Sequence, residues 1–220
     1  MYDSLAVTIT NVRQENPDVT TLYFARPFEF IAGQYITVFI PGSSTPQGKA
    51  YSLSSRPHEP LASITVKDVG GEFSHFLCSR STGDTIHISP AYGNFNPHTN
   101  RPLVGITGGC GLSPIWSILA DAPQATYLYF SHQSPEHTIF SEELTASRIT
   151  VKHFSTRQQI EEGGGWYNGR FSVARIVQEV PSDAHFLVCG SVTFVRDVWQ
   201  SLVAAGVAET AISTETFFEI

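Results

Sequence analysis

At 220 residues, 41% hydrophobic and 15% charged, the chain has the size of one large or two ordinary domains and the composition of a globular protein. Its net charge of -7 argues against nucleic acid as the main partner. No apolar run is long enough to span a bilayer, and Cys78, Cys110 and Cys189 form neither a metal-cluster spacing nor a disulfide framework. Met1 to Ser4 carry no basic region ahead of an apolar core, so no signal peptide is expected and a reducing cytoplasm is the expected compartment.

In the first half the pattern is that of short strands. Leu5–Asn11, Val19–Phe24, Gln34–Ile40, Ala50–Ser54, Ser63–Lys67 and Thr85–Ser89 are rich in β-formers and separated by turn residues. Such spacing predicts an antiparallel sandwich or barrel. Within it, Lys49-Ala50-Tyr51-Ser52 places a cation, a ring and a hydroxyl on one short strand. Alternation turns Lys49 and Tyr51 one way, and Ala50 and Ser52 the other. One helix, Glu72–Cys78, follows the turn Gly70-Gly71 and places Phe73, Phe76 and Leu77 on one face. Glycines at a helix N-terminus let a phosphate approach free N–H groups, and Ser74 adds a hydroxyl.

The period changes after Pro97–Pro102, which sets a boundary there. Leu103–Thr107 reads as a buried strand running into Gly108-Gly109-Cys110-Gly111-Leu112-Ser113-Pro114. Ser113 as N-cap and Pro114 at the first helical position predict a helix through Leu119. Strands at Ala125–Phe130, Ile149–Phe154, Ala184–Cys189 and Ala211–Phe218 alternate with helices at Ser141–Leu144, Val173–Glu179 and Val195–Ala205. This alternation predicts a parallel, doubly wound sheet, whose ligands bind beyond the carboxyl ends of the strands. Both Gly108–Gly111 and Gly190 fall at such ends. Cys78 and Trp116 are expected to pack in the core, and Cys110 to be a small loop residue. His132 and His137 are read as surface or loop residues, and no metal site is expected. Trp166-Tyr167, beside the loop Gly163–Gly165, either shields a site or anchors its own loop.

Taken in order, these motifs resemble those of the ferredoxin–NADP reductase superfamily over essentially the full length. The flavin motif Arg-x-Tyr-Ser corresponds to Lys49-Ala50-Tyr51-Ser52, and the pyrophosphate turn Gly-Gly-x-x-Ser to Gly70, Gly71 and Ser74. The nucleotide loop corresponds to Gly108, Gly109, Gly111, Ser113 and Pro114, the Cys-Gly strand end to Cys189-Gly190, and the C-terminal Glu-x-aromatic to Glu215-Thr216-Phe217. The resemblance implies two domains: an antiparallel β-barrel flavin domain, residues 1–98, followed by an α/β parallel-sheet NAD(P)-binding domain, residues 99–220. It implies an FAD-dependent NAD(P)H oxidoreductase, with FMN as the alternative flavin. Tyr51 would pack on the isoalloxazine, Ser52 would bond near its N5, and Phe217 or Phe218 would cover its other face. Cys189 and Glu215 would lie near the nicotinamide. Ser52, Cys189 and Glu215 are thus the expected catalytic residues. Arg157, at a position where NADPH-selective relatives carry a basic residue, favours NADPH over NADH.

Lys49 departs from the family's arginine and cannot form a bidentate fork with phosphate. No cysteine spacing fits an in-chain [2Fe–2S] centre. The expected electron acceptor is therefore a separate ferredoxin, flavodoxin or oxygenase component, or a small molecule. Two other readings stand beside this one: a flavin reductase using flavin as a substrate, and a non-catalytic electron-transfer subunit of a larger complex. The sequence leaves the oligomeric state undetermined.

Overall fold

A computed structural model describes residues 4–217. Phe218, expected at the end of the last strand, lies outside the described residues. The first six strands form one antiparallel sheet in the order β4-β3-β6-β1-β2-β5. They are β1 (Leu5–Asn16), β2 (Val19–Ala25), β3 (Tyr35–Phe39), β4 (Lys49–Ser52), β5 (Leu61–Lys67) and β6 (Thr85–Ile88). A bridge between Leu53 and Ile64, with the Ser54 N–H donating to Ser63 O at 2.8 Å, joins the two edges into a barrel. Alternation explains its core: Leu22, Phe24, Ala62, Ile64 and Val66 point inward, while Thr21, Ser63 and Thr65 point out. Helix α1 (Glu72–Cys78) buries Phe73 and Leu77 against the barrel side. Phe76 and Cys78 are partly buried against the same core.

The second sheet is parallel, in the order β10-β9-β8-β7-β11-β12. Its strands are β7 (Leu103–Gly108), β8 (Thr126–His132), β9 (Thr150–Ser155), β10 (Trp166–Asn168), β11 (His185–Ser191) and β12 (Ile212–Phe217). Helix α2 (Leu112–Leu119) lies on one face with α3 (Ser141–Ala146). Helices α4 (Val173–Glu179) and α5 (Val192–Ala204) cover the other. Every residue of α2 is buried, because the sheet lies on one side of it and the barrel on the other. Val19 and Phe95 of the barrel side enter the same core as Ile115, Leu119 and Phe130.

Four expectations differ from this structure. β1 runs five residues past Asn11, because its first half pairs with β6 and its second half, after a bulge, with β2. β10 has no signal in its sequence: three residues between glycines are too short to alternate. Helix α5 starts three residues earlier than expected, capped by Ser191, whose Oγ accepts from the Phe194 N–H. Ser113 is not an N-cap. A 3-10 turn over Gly109–Gly111 starts the helical path upstream, so Ser113 and Pro114 are the second and third residues of α2. Proline is tolerated there because first-turn N–H groups have no helical partner.

The sheet–helix packing makes a direct stability test. A Cβ on Gly105 in β7 would lie 2.6 Å from Ile115 Cγ2 and 3.1 Å from Leu119 Cδ1. Gly105→Ala is expected to lower unfolding free energy by about 1–3 kcal/mol through overpacking. Urea denaturation measures it, and an unchanged midpoint would contradict the packing described.

Candidate active site

The sequence motifs gather at two places, both at the boundary between the sheets. The first is the turn before α1. Gly70 has φ 74°, and no atom lies within 4 Å of the position a Cβ would take, so a ligand can approach its backbone. Gly71 caps α1 without a side-chain hydrogen bond. Ser74 Oγ donates to Gly71 O at 3.1 Å and accepts from the Val69 N–H at 3.3 Å. One residue here had no signal in the sequence. Asp68 Oδ1 accepts from the Gly70 N–H at 2.9 Å, and Oδ2 lies 3.1 Å from His75 Nδ1. The Gly70 amide and the His75 contact hold the Asp68 carboxyl below the usual carboxylate range.

On β4, Lys49 Nζ stands 5.5 Å over the Phe73 ring of α1. Tyr51 is half-buried against the barrel core, and burial raises its phenol above the ordinary range. Ala50 is exposed, and Ser52 points to the opposite side from Tyr51. The buried Ser52 hydroxyl crosses to the second sheet and donates to Glu215 Oε1 at 2.6 Å.

The second place is the carboxyl end of the parallel sheet. Glu215 on β12 is in register with Cys189 on β11, which is in register with Thr107 on β7. The Thr107 hydroxyl donates to Cys189 O at 2.8 Å. A Cβ on Gly111 would come 2.5 Å from both of those oxygens, so the nucleotide loop sits directly against the two strands. Gly108 precedes the turn as its cap. Gly109 has φ 56°, is exposed, and has open space where a Cβ would be. Gly190 abuts Phe194, whose Cδ1 would lie 2.9 Å from a Cβ. Phe217 packs partly buried against the core beneath α2. Burial pushes the Cys110 thiol up to about 12 and the Cys189 thiol well above its ordinary value. Both stay protonated, so neither offers a thiolate. Burial also raises the Glu215 carboxyl, and the bond from Ser52 only partly offsets that.

Further along the sheet, Arg157 is exposed and its N–H donates to Gln133 O at 3.0 Å. Thr156 N–H and Oγ1 both donate to His132 O, so the loops after β8 and β9 are tied together. His132 is not a surface residue: it is buried, with Nε2 2.8 Å from His153 Nδ1. Burial, then the neighbouring imidazole, lowers His132 to about 3, and burial lowers His153 to about 4. Trp166 stacks on His153 at 4.3 Å, so it anchors β10 to β9. On the opposite face Tyr167, Phe154, Phe171 and Phe194 form a row in that order, with successive ring separations of 5.3, 5.6 and 6.0 Å. These rings come from separate elements, so no local motif reveals the row.

These residues suit a pair of nucleotide cofactors. Open glycine backbone stands at Gly70 and Gly109, and Ser113 Oγ is the one buried side-chain polar atom without a hydrogen-bond partner among the described residues. An antiparallel barrel is thus joined to a parallel sheet, with a glycine turn in each at their boundary. Residues 106–200 match the family described as Oxidoreductase NAD-binding domain. The chain is 30% identical over 208 residues to a flavohemoprotein of Vibrio cholerae, covering 86% of this chain and 52% of that protein. It is 29% identical to a flavohemoprotein of Bordetella pertussis, covering 96% and 60%. It thus spans a little over half the length of these curated relatives. A ferredoxin NADP+ reductase of Neisseria gonorrhoeae, solved with bound FAD and NADP, has the same fold: TM-score 0.83, 23% identity, 99% of this chain and 100% of that one. The fold is therefore the one these reductases share, and the NAD-binding family match lies within the second half of the chain. No helix among the described residues is long and apolar enough to cross a membrane.

The raised Glu215 carboxyl has a measurable consequence. The folded chain holds this proton to higher pH than the unfolded chain does. Its contribution to stability therefore falls as pH rises from the ordinary glutamate value, about 4.3, toward the raised one. Glu215→Gln is expected to remove that decline. Urea unfolding of both proteins between about pH 4 and pH 7 tests this, and parallel stability curves would count against it.

Proposed function

We propose that the chain is an FAD-dependent NAD(P)H oxidoreductase that takes hydride from the nicotinamide and passes electrons to a separate acceptor. The observation that carries this reading is the Ser52–Glu215 hydrogen bond, which joins the barrel motif to the strand end holding Cys189. Bound flavin supplies the hydride acceptance and the one-electron release. The protein's part is to bind, orient and exclude water. Lys49, Gly71 and Ser74 are assigned to the flavin phosphates, and Tyr51 and Phe217 to its ring. Gly108, Gly109, Gly111, Ser113 and Pro114 form the assigned loop for the nicotinamide dinucleotide, with Gly190 leaving room at the next strand end. Ser52 and Glu215 are assigned to hold a proton at the boundary, beside the neutral Cys189 thiol. The row Tyr167–Phe154–Phe171–Phe194 is a wall for the adenine, and Arg157 a partner for a 2′-phosphate. Residues 1–98 and 99–220 are the flavin and nucleotide domains of this reading.

The acceptor is proposed to be a ferredoxin, flavodoxin or oxygenase component. One relative, 34% identical over 113 residues, is the reductase component of a terephthalate 1,2-dioxygenase from Comamonas. A second reading has its own observation. The Gly70 N–H is already bonded to Asp68, an ionised carboxylate beside the turn assigned to the pyrophosphate. That charge repels a diphosphate and favours flavin held loosely as a substrate.

Denaturing the purified protein and chromatographing the released flavin tests the main reading. FAD retained after dialysis, with NAD(P)H oxidation by an artificial acceptor, is the expected result. A colourless protein that reduces added flavin supports the second reading, and a loaded but inert one supports a subunit role. Lys49→Arg is expected to tighten flavin binding about three- to tenfold, by replacing a point charge with a bidentate fork. Equal dissociation constants would overturn the phosphate role of Lys49. Arg157→Ala is expected to raise the KM for NADPH about tenfold and leave that for NADH unchanged, as loss of a charge-assisted phosphate contact predicts. No change with either coenzyme would remove Arg157 from the site.

A further inference from the structure

The two sheets meet along α2, and the contact is polar on the barrel side. Thr21 Oγ1 lies 2.9 Å from Thr65 Oγ1, Thr65 Oγ1 3.0 Å from Ser54 Oγ, and Ser54 Oγ 2.8 Å from Ser63 Oγ. The Ser117 hydroxyl of α2 donates to Ser55 O at 2.7 Å. Behind these hydroxyls is a cavity of about 790 Å³, lined by the barrel, the end of α2 and the first residues of β8. It therefore lies at the amino end of the parallel sheet, away from Ser52, Cys189 and Glu215. Two ion pairs on its wall cross from barrel to sheet. Arg13 of β1 pairs with Glu143 of α3, and Arg56 with Asp121, after α2, at 3.2 Å. Each arginine is also held within the barrel, by Glu15 at 2.7 Å and by Glu59 at 2.8 Å. Glu15 Oε2 in turn accepts from the Phe140 N–H of the second half at 3.1 Å.

We propose that Arg13 and Arg56 are positioning residues: through Glu143 and Asp121 they fix the parallel sheet against the barrel at the rear, and so hold Ser52 opposite Glu215 at the front. Hydroxyl contacts alone do not impose this register, because each hydroxyl can donate or accept and so tolerates small shifts. A guanidinium held by a barrel carboxylate presents its remaining N–H groups in a fixed direction, and the carboxylate of the second half must come to them. α2, buried between the two, transmits the setting as a rigid element. The consequence for hydride transfer rests on the oxidoreductase reading above; the geometric part does not.

The test removes the second-half partners and leaves both arginines neutralised within the barrel. Glu143→Gln with Asp121→Asn, both half-exposed in the structure, spares the packed interior. Backbone amide exchange of residues 49–52 and 212–217 needs neither flavin nor turnover. It is expected to quicken about three- to tenfold in the double variant, and to quicken likewise in the parent at about 0.5 M salt, with the variant insensitive to salt. Exchange unchanged in both segments, or altered only in α3, overturns the positioning role. In turnover with an artificial acceptor, kcat is expected to fall at least about threefold, with the KM for NAD(P)H unchanged. Faster exchange with unaltered kcat would overturn the link to hydride transfer and leave the oxidoreductase reading standing. Arg13→Lys with Arg56→Lys, which keeps both charges but loses the planar fork, is expected to quicken exchange in the same two segments; exchange left at the parental rate would overturn the directional role of the arginines.

Discussion

One carbonyl oxygen organises the second half of the chain. Cys189 O accepts from the Thr107 hydroxyl, and the Gly111 backbone lies so close that a side chain there would collide with both oxygens. Two strand ends and the nucleotide loop therefore converge on one atom. That contact fixes where α2 begins, and α2 is the wall shared by sheet and barrel. A bulkier residue at Gly111 would push the loop off the strands and carry α2 with it. The open backbone at Gly109 is useful only because Gly111, two residues on, is clamped.

Burial dominates the chemistry at the front of the boundary between barrel and sheet, and ion pairs dominate at its rear. At the front a half-buried carboxyl, Glu215, has one hydroxyl donor, Ser52, and burial outweighs that bond. The thiols of Cys110 and Cys189 are held uncharged by the same cause. At the rear, the arginine–carboxylate pairs keep fixed charges partly in contact with water, where their desolvation cost is small.

Much of this was legible in the sequence because it is local. Strand alternation identifies the barrel, and the switch to alternating strands and helices identifies the parallel sheet. Both glycine turns lie at the ends where such patterns put them. What was not legible depends on contacts between distant segments. Asp68 reads as an ordinary turn residue until its carboxylate is found on the Gly70 amide. His132 reads as a polar strand end, yet His153 and Trp166, from two other strands, bury it. The start of α2 was misplaced because Ser113-Pro114 is a sound capping pair in isolation. The glycines before it admit a tighter turn that no propensity favours, and the strand contacts at Gly111 select that turn.

The polar contact between barrel and sheet follows from the barrel's own alternation. With Leu22, Ile64 and Val66 pointing inward, the outward positions of β2 and β5 face α2 and must be neither strongly hydrated nor greasy. Threonine and serine meet both demands, since threonine suits a strand and the hydroxyls of both bond to one another when buried. Among the described residues, Val19 and Phe95 on this side, with the partly buried Ala32, add hydrocarbon to the core beneath α2. A small apolar contact with rearrangeable hydroxyls around it allows two domains to shift unless something directional restrains them. The ion pairs and the Glu15–Phe140 bond are directional, and they lie at the far end of α2 from the proposed chemistry. A small rotation there becomes a larger displacement at the opposite end of the helix, so rear contacts of modest strength are well placed to govern the front.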